Sequence, residues 1–285
     1  DYVESINQYT AGGFDGCVMT NMDALTIPAA GGVDSTALIV GDFSNGNDGV
    51  VLKQKSKLAD IKGQKVNLVE LSVSHYLLAR ALASAGLSER DVTVVNTSDA
   101  DMVAAFGAPG VTAAVTWNPL LSTILETPAT HKVFDSSQIP GEIIDLMVVN
   151  TEKLKKHPAL GKALVGAWYE VMGIMSKDDE KGRAARLQMA KASGTDLAGY
   201  DAQLATTRMF YKPAEAVEFA KSDKLVETMR QVAKFSFDHG LLGEGAKDAG
   251  TVGMAFPNGK GLGSKDNVKL RFDATYMGMA ADGKL

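Results

Sequence analysis

Cys17 is the only cysteine in 285 residues. A lone thiol excludes an intramolecular disulfide and any multi-cysteine metal site, and such scarcity suits cytosol and bacterial periplasm alike. Aromatic residues are few, at 7% with two tryptophans, and they do not interleave with a basic stripe. Lys and Arg total 29 against 34 Asp and Glu, for a formal net charge of −5. Phosphate backbones are gripped by clustered cations, so no nucleic-acid partner is expected. No apolar run approaches the roughly 20 residues that cross a bilayer. Of four histidines, His131, His157 and His239 lack neighbours at ligand spacing, so neither metal nor cofactor is expected. Asp1-Tyr2-Val3-Glu4 has no basic start or apolar core, as in a secreted chain whose signal peptide is already removed.

These absences leave ample material for a core. Hydrophobic residues make up 45% and charged residues 22%, ordinary for a globular chain. The length suits one large domain or two lobes.

The chain opens on a helix to Tyr9, stopped by Gly12-Gly13. A strand over 14–20 leads to a turn at Asn21-Met22-Asp23, a helix over 24–30 and a strand over 36–40. The segment 41–49, polar and rich in glycine, reads as a connection into a strand at 50–52. Regular alternation follows. Strand 66–70 precedes helix 75–85, which carries Leu77, Leu78, Ala81, Leu82 and Ala85 on one face and stops at Gly86. Strand 92–95 precedes a helix capped by Ser98. Strand 111–116 precedes helix 119–126, with Pro119 at its first position. Short strands at 132–134 and 143–149 complete the block. Strands alternating with helices of about ten residues imply an α/β fold with a parallel sheet covered on both faces. After Thr151 helices dominate, over 158–175, 181–192, 214–222 and 224–239. The tail from Leu241 to Leu285 reads as irregular, with one apolar piece at 274–277. The first strands alone make a half-sheet too small to bury much, so that lobe is expected to recruit the tail or a further strand–helix–strand.

The most informative stretch is Val66-Asn67-Leu68-Val69-Glu70-Leu71-Ser72-Val73-Ser74-His75-Tyr76-Leu77-Leu78. It is an apolar strand, a polar elbow and a helix start. In open α/β sheets ligands bind at such carboxyl ends of strands. No catalytic motif accompanies it, and the glycine-rich segments 41–49 and 259–263 match no phosphate cradle. The chain reads first as a binder of something small and only second as an enzyme.

Four pieces together resemble the periplasmic solute-binding proteins of ABC transporters of the taurine, nitrate and aliphatic-sulfonate type. They are Phe14-Asp15-Gly16-Cys17 through Asp23, with Pro28 and Gly31-Gly32 behind; Leu58-Ala59-Asp60-Ile61-Lys62-Gly63-Gln64-Lys65-Val66; Ser72 to Leu78; and Val115-Thr116-Trp117-Asn118-Pro119. The segment Asn21 to Thr26 and the 41–49 connection are most similar to the branch encoded near urea carboxylase genes, whose members are presumed to take up urea or guanidinium. The resemblance implies a two-lobed periplasmic-binding-protein type II fold, hinged on two connecting strands. One lobe would be 1–45 with 150–285 and the other 46–149. It also implies that an N-terminal strand–helix–strand is missing, that the protein works in a bacterial periplasm, and that its partners are a small-molecule ligand and a membrane permease. A related branch resembles thiamine-pyrimidine synthases, but these use a cysteine-rich motif that Cys17 alone cannot supply, so an enzyme is not expected.

Mapped onto that fold, Asn21, Asp23, Glu70, Ser72, Ser74, Trp117, Asn118 and Asp145 are expected to face the cleft between the lobes. None of the four places carries Arg or Lys, the usual grips for sulfonate or nitrate. Glu70, Asp23 and Asp145 can instead accept the paired donors of guanidinium or urea, and Trp117 can stack on the ligand face. The alternative ligand is a taurine-, nitrate- or sulfonate-like anion, held by the N-terminus of helix 75–85. Simpler roles stand beside these. Asp23, Ser72 and Ser74 are natural helix caps, Glu70 a solvated strand end, Trp117 a core residue, Asp145 a partner for lysine and His75 a structural histidine. Asn118 departs from the acid usual in the resembled motif.

Overall fold

The computed structural model describes residues 2–285. The chain is mixed α/β and divides into two compact units, Asp1–Phe43 with Ile143–Leu285 and Ser44–Glu142. The first strands are β1 (Gly16–Thr20), β2 (Ser35–Ser44), β3 (Asp48–Lys53) and β4 (Lys65–Leu68). Next come β5 (Thr93–Asn96), β6 (Ala113–Trp117), β7 (Thr130–Asp135) and β8 (Ile144–Asn150). The last are β9 (Thr207–Met209), β10 (Gly253–Ala255), β11 (Gly261–Leu262) and β12 (Val268–Phe272).

The sheet of the first unit runs β1-β8-β2-β12-β10-β11, with β9 also paired to β2. Strand β8 is antiparallel to both β1 and β2, whereas β12 is parallel to β2. Ala37-Leu38-Ile39-Val40 of β2 is buried throughout. A central strand covered on both faces reads as a continuous apolar run for that reason. The sheet of the second unit runs β5-β4-β6-β3-β7. There β4 is parallel to β5 and β6, and β3 is antiparallel to β6 and β7. Helix Val73–Ser84 packs on β3 and β6 and buries Leu77, Leu78, Ala81 and Leu82. Helices Asp99–Gly107 and Leu120–Leu125 close a core of Val51, Met102, Phe106, Ala114, Leu121 and Ile124.

The sequence expectations need three corrections. The sheets are mixed rather than parallel, because β8, β3 and β7 pair antiparallel with strands remote in sequence. The tail is not irregular: it supplies β10, β11, β12 and helix Thr275–Ala281. In β12, Val268-Lys269-Leu270-Arg271-Phe272 alternates, with Leu270 and Phe272 buried. The turn expected at Asn21-Met22-Asp23 is already helix, Asn21–Ala24, continuing as a π-helical turn over Leu25–Ala29. Among the described residues no helix is long and apolar enough to cross a membrane.

Candidate binding site

In the first unit, β1 ends at Thr20 and the chain turns at once into helix Asn21–Ala24. Thr20 caps that helix. Its Oγ1 accepts the Asp23 N–H at 3.2 Å and donates to Asp23 Oδ2 at 2.9 Å. The Tyr2 hydroxyl donates to the same carboxylate oxygen at 2.7 Å and accepts the Thr20 N–H at 2.9 Å. Asp23 is buried. Loss of water raises its pKa, opposed by the hydrogen bonds from Tyr2 and Thr20. Asn21 is fully buried. Its Oδ1 accepts the Ile144 N–H at 3.0 Å, and its Nδ2 donates to Met229 Sδ at 3.5 Å. Asn21 therefore fixes the start of β8, beside Asp145.

The sheet places Thr20 of β1 and Asp42 of β2 on either side of Asp145 in register. A β-bulge between Val40 and Asp42 re-aims the strand so that Asp42 pairs with Asp145. The two residues therefore face one another across the β2–β8 pairing. Burial, with the nearby Asp23 charge adding to it, raises the Asp145 pKa, and the Asp42 hydrogen bond works against the rise. Asp145 still presents surface to solvent, so it is hemmed in by protein yet reachable. Next to Asp42, Phe43 stacks on Phe219 at 5.7 Å and meets Phe210 edge-on at 5.9 Å, anchoring the end of β2.

In the second unit, β4 ends at Leu68 and helix Val73–Ser84 begins five residues later. Glu70 is exposed, and its N–H donates to Asn96 Oδ1 at 3.0 Å. Leu71 adopts the left-handed region at φ 63°, and its N–H donates to His75 Nδ1 at 3.1 Å. The other ring nitrogen of His75 bonds Glu89 Oε1 at 2.6 Å. Ser72 is the N-cap of the helix, accepting the Ser74 N–H at 3.1 Å and donating to the Val69 carbonyl at 2.7 Å. Ser74 is fully buried, and its Oγ has no hydrogen-bond partner among the described residues. Trp117 ends β6, half-buried and opposite Asp48. Asn118 Oδ1 accepts from Ser122 N at 3.1 Å and Ser122 Oγ at 2.5 Å, which starts helix Leu120–Leu125. In this unit Ser44, Asp48 and Ser136 form a buried knot, with Ser44 Oγ 2.6 Å from Ser136 Oγ and 2.5 Å from Asp48 Oδ2.

The first unit thus gathers Asp23 and Asp145 around a carboxyl that sequence reasoning missed, Asp42. The second unit carries Glu70, Ser72 and Ser74 on one elbow and Trp117-Asn118 at the end of β6. Asp42 had a readable signal: it follows the apolar run 37–40 as closely as Asp23 follows β1. The glycine-rich composition of 41–49 hid it.

Several known proteins are similar. The taurine-binding periplasmic protein of Escherichia coli is 28% identical over 130 residues, 44% of this chain and 40% of that protein. A Brucella abortus protein whose name calls it a binding protein is 31% identical over 144 residues, 47% of this chain and 44% of its own. The chain therefore spans less than half the length of these curated relatives. Among solved structures, the periplasmic aliphatic sulphonate binding protein SsuA of Escherichia coli shares the fold. It matches with a TM-score of 0.69 and 21% identity over 85% of this chain and 80% of that one. The desulfurization enzyme DSZB shares it more distantly, with a TM-score of 0.57 and 13% identity over 80% of each chain. Residues 7–190 match the NMT1-like family, and the chain belongs to that family.

Proposed function

We propose that this protein is the solute-binding component of an ABC import system, working in a bacterial periplasm and passing a small solute to a membrane permease. Family membership, the fold shared with SsuA and the likeness to a taurine-binding protein support that reading. For the solute we favour a small nitrogen compound, guanidinium or urea-like. The observation that carries this choice is the gathering of Asp23, Asp42 and Asp145 in the first unit. Like charges held close and short of water favour protonation. A cation arriving there replaces the proton and relieves the repulsion, whereas an oxyanion adds to it. A carboxylate also accepts two donors of a flat guanidinium side by side.

One observation favours a second reading, a taurine- or sulfonate-like anion. Ser74 Oγ is a buried hydroxyl without a partner among the described residues, in the first turn of helix Val73–Ser84. The positive end of the helix dipole attracts anions there. A thermal-shift screen of guanidinium, urea, agmatine, taurine and nitrate separates the two. A solute that binds only the folded state stabilises it by about 2.7 kcal/mol at a hundredfold excess over Kd. Guanidinium at millimolar concentration, or urea, should raise the melting temperature above a matched sodium control. A rise with taurine or nitrate alone would transfer the assignment to the anion.

A further inference from the structure

Among the described residues three other than glycine carry a positive φ: Gln54, Leu71 and Ala129. A leucine there is strained, because its Cβ crowds the following carbonyl. Such strain survives only where neighbours over-determine it, and it gathers at ligand sites. Leu71 sits on the elbow between β4 and helix Val73–Ser84. In the order β5-β4-β6, β4 lies between two strands that run parallel to it. The chain passes from β4 to β5 on one side and then returns to β6 on the other. The strand order therefore reverses at the carboxyl end of β4, where open α/β sheets take ligands. Solvent reaches the elbow there: Glu70 is exposed, and Leu71, a large apolar residue, is 39% exposed.

The Leu71 N–H donates to His75 Nδ1 at 3.1 Å. A backbone N–H only donates, so Nδ1 is bare and the ring proton sits on Nε2. Nε2 then donates to Glu89 Oε1 at 2.6 Å, and that carboxylate fixes the tautomer. Glu89 opens the 3-10 turn Glu89–Asp91, which Ser88 and Asp91 cap reciprocally, and Asp91 is tied to Lys62 Nζ at 3.2 Å. His75 itself is 4% exposed, so little water competes for its nitrogens. We propose that His75 is a positioning residue for solute capture: its ring holds Leu71 in the left-handed turn and so aims Glu70 and Ser72 on either side. This role rests on the solute-carrier reading above and holds for either charge of solute. Without the ring acceptor the Leu71 N–H loses its partner and the turn relaxes toward negative φ. Only the fraction of molecules that keeps the turn then binds, and apparent affinity falls by that fraction.

The test is a double-mutant cycle read by calorimetric titration with guanidinium, urea and taurine. His75→Phe keeps a buried ring and removes both nitrogens. Binding of whichever probe the wild type takes should weaken about tenfold, the scale of one lost hydrogen bond. Glycine adopts the left-handed turn without strain. In the Leu71→Gly background the same His75→Phe change should therefore weaken binding by less than about twofold. A tenfold loss in both backgrounds, or no loss in the first, overturns the role of His75 while the carrier reading stands. If the wild type takes none of the three probes, both fall together. A second measurement needs no variant. Among the four histidines, nitrogen-15 spectra of the wild type should show His75 Nδ1 as a bare acceptor nitrogen and Nε2 as a protonated one, with a coupling across the hydrogen bond from the Leu71 amide to Nδ1. A proton found on Nδ1 contradicts the assignment.

Discussion

At the scale of single residues, Asp23 and Asp145 are carboxyls whose titration the fold alters. Both carboxyls hold their proton more tightly in the folded chain than at the ordinary value of 3.8. A group whose folded pKa is raised contributes stability that is complete below its unfolded value and is lost as pH rises through the folded one. The contribution of these two carboxyls to the stability of the solute-free protein should therefore decline as pH is raised above their ordinary value. Asp145→Asn should flatten that decline, since the amide neither titrates nor repels Asp42 and Asp23. A steeper decline in the variant would contradict the account. On the proposed reading a bound cation competes with protons for these raised carboxyls, so guanidinium affinity should rise with pH in wild type. Asp145→Asn should weaken guanidinium far more than neutral urea, and equal loss would show that this carboxyl does not read charge.

At the scale of elements, caps and bulges position these groups. Ser72→Ala removes the N-cap of helix Val73–Ser84 and should cost about 1 kcal/mol in a denaturant titration. Ser74→Ala removes a hydroxyl that bonds nothing among the described residues and should change stability by less than about 0.5 kcal/mol. A reversed order would mean that Ser74 holds the elbow. Gly41→Ala drives a methyl group into the Trp168 ring, where the nearest ring carbon waits at 3.0 Å, and should destabilise by about 1–3 kcal/mol. Much of this level was legible in the sequence. The strand–elbow–helix at 66–78 carried its own cap and an apolar helix face, and Leu77, Leu78, Ala81 and Leu82 are buried as their spacing implied. Strand β12 was missed, although Val-Lys-Leu-Arg-Phe alternates, because glycine and charge around it masked the pattern. Pairing direction was not legible. Antiparallel β8 meets β1 and β2 across more than a hundred residues, and no local period encodes such a partner. The β2 bulge was equally hidden, because it appears only when one strand is counted against another.

For the whole molecule, each unit builds its own sheet, and the polar groups of the two differ in chemistry. The first offers carboxyls at the ends of β1 and β2 and the start of β8. The second offers a helix N-terminus with a buried hydroxyl. Both candidate solutes are compatible with the carrier proposed above, so ligand charge is the deciding property. The most direct measurement is a calorimetric titration of the protein with guanidinium, urea and ethanesulfonate, each against a sodium chloride blank. The account predicts saturable binding of guanidinium or urea that Asp145→Asn weakens, and no binding of ethanesulfonate. Saturable binding of ethanesulfonate, unchanged by Asp145→Asn and with no response to guanidinium or urea, would contradict it.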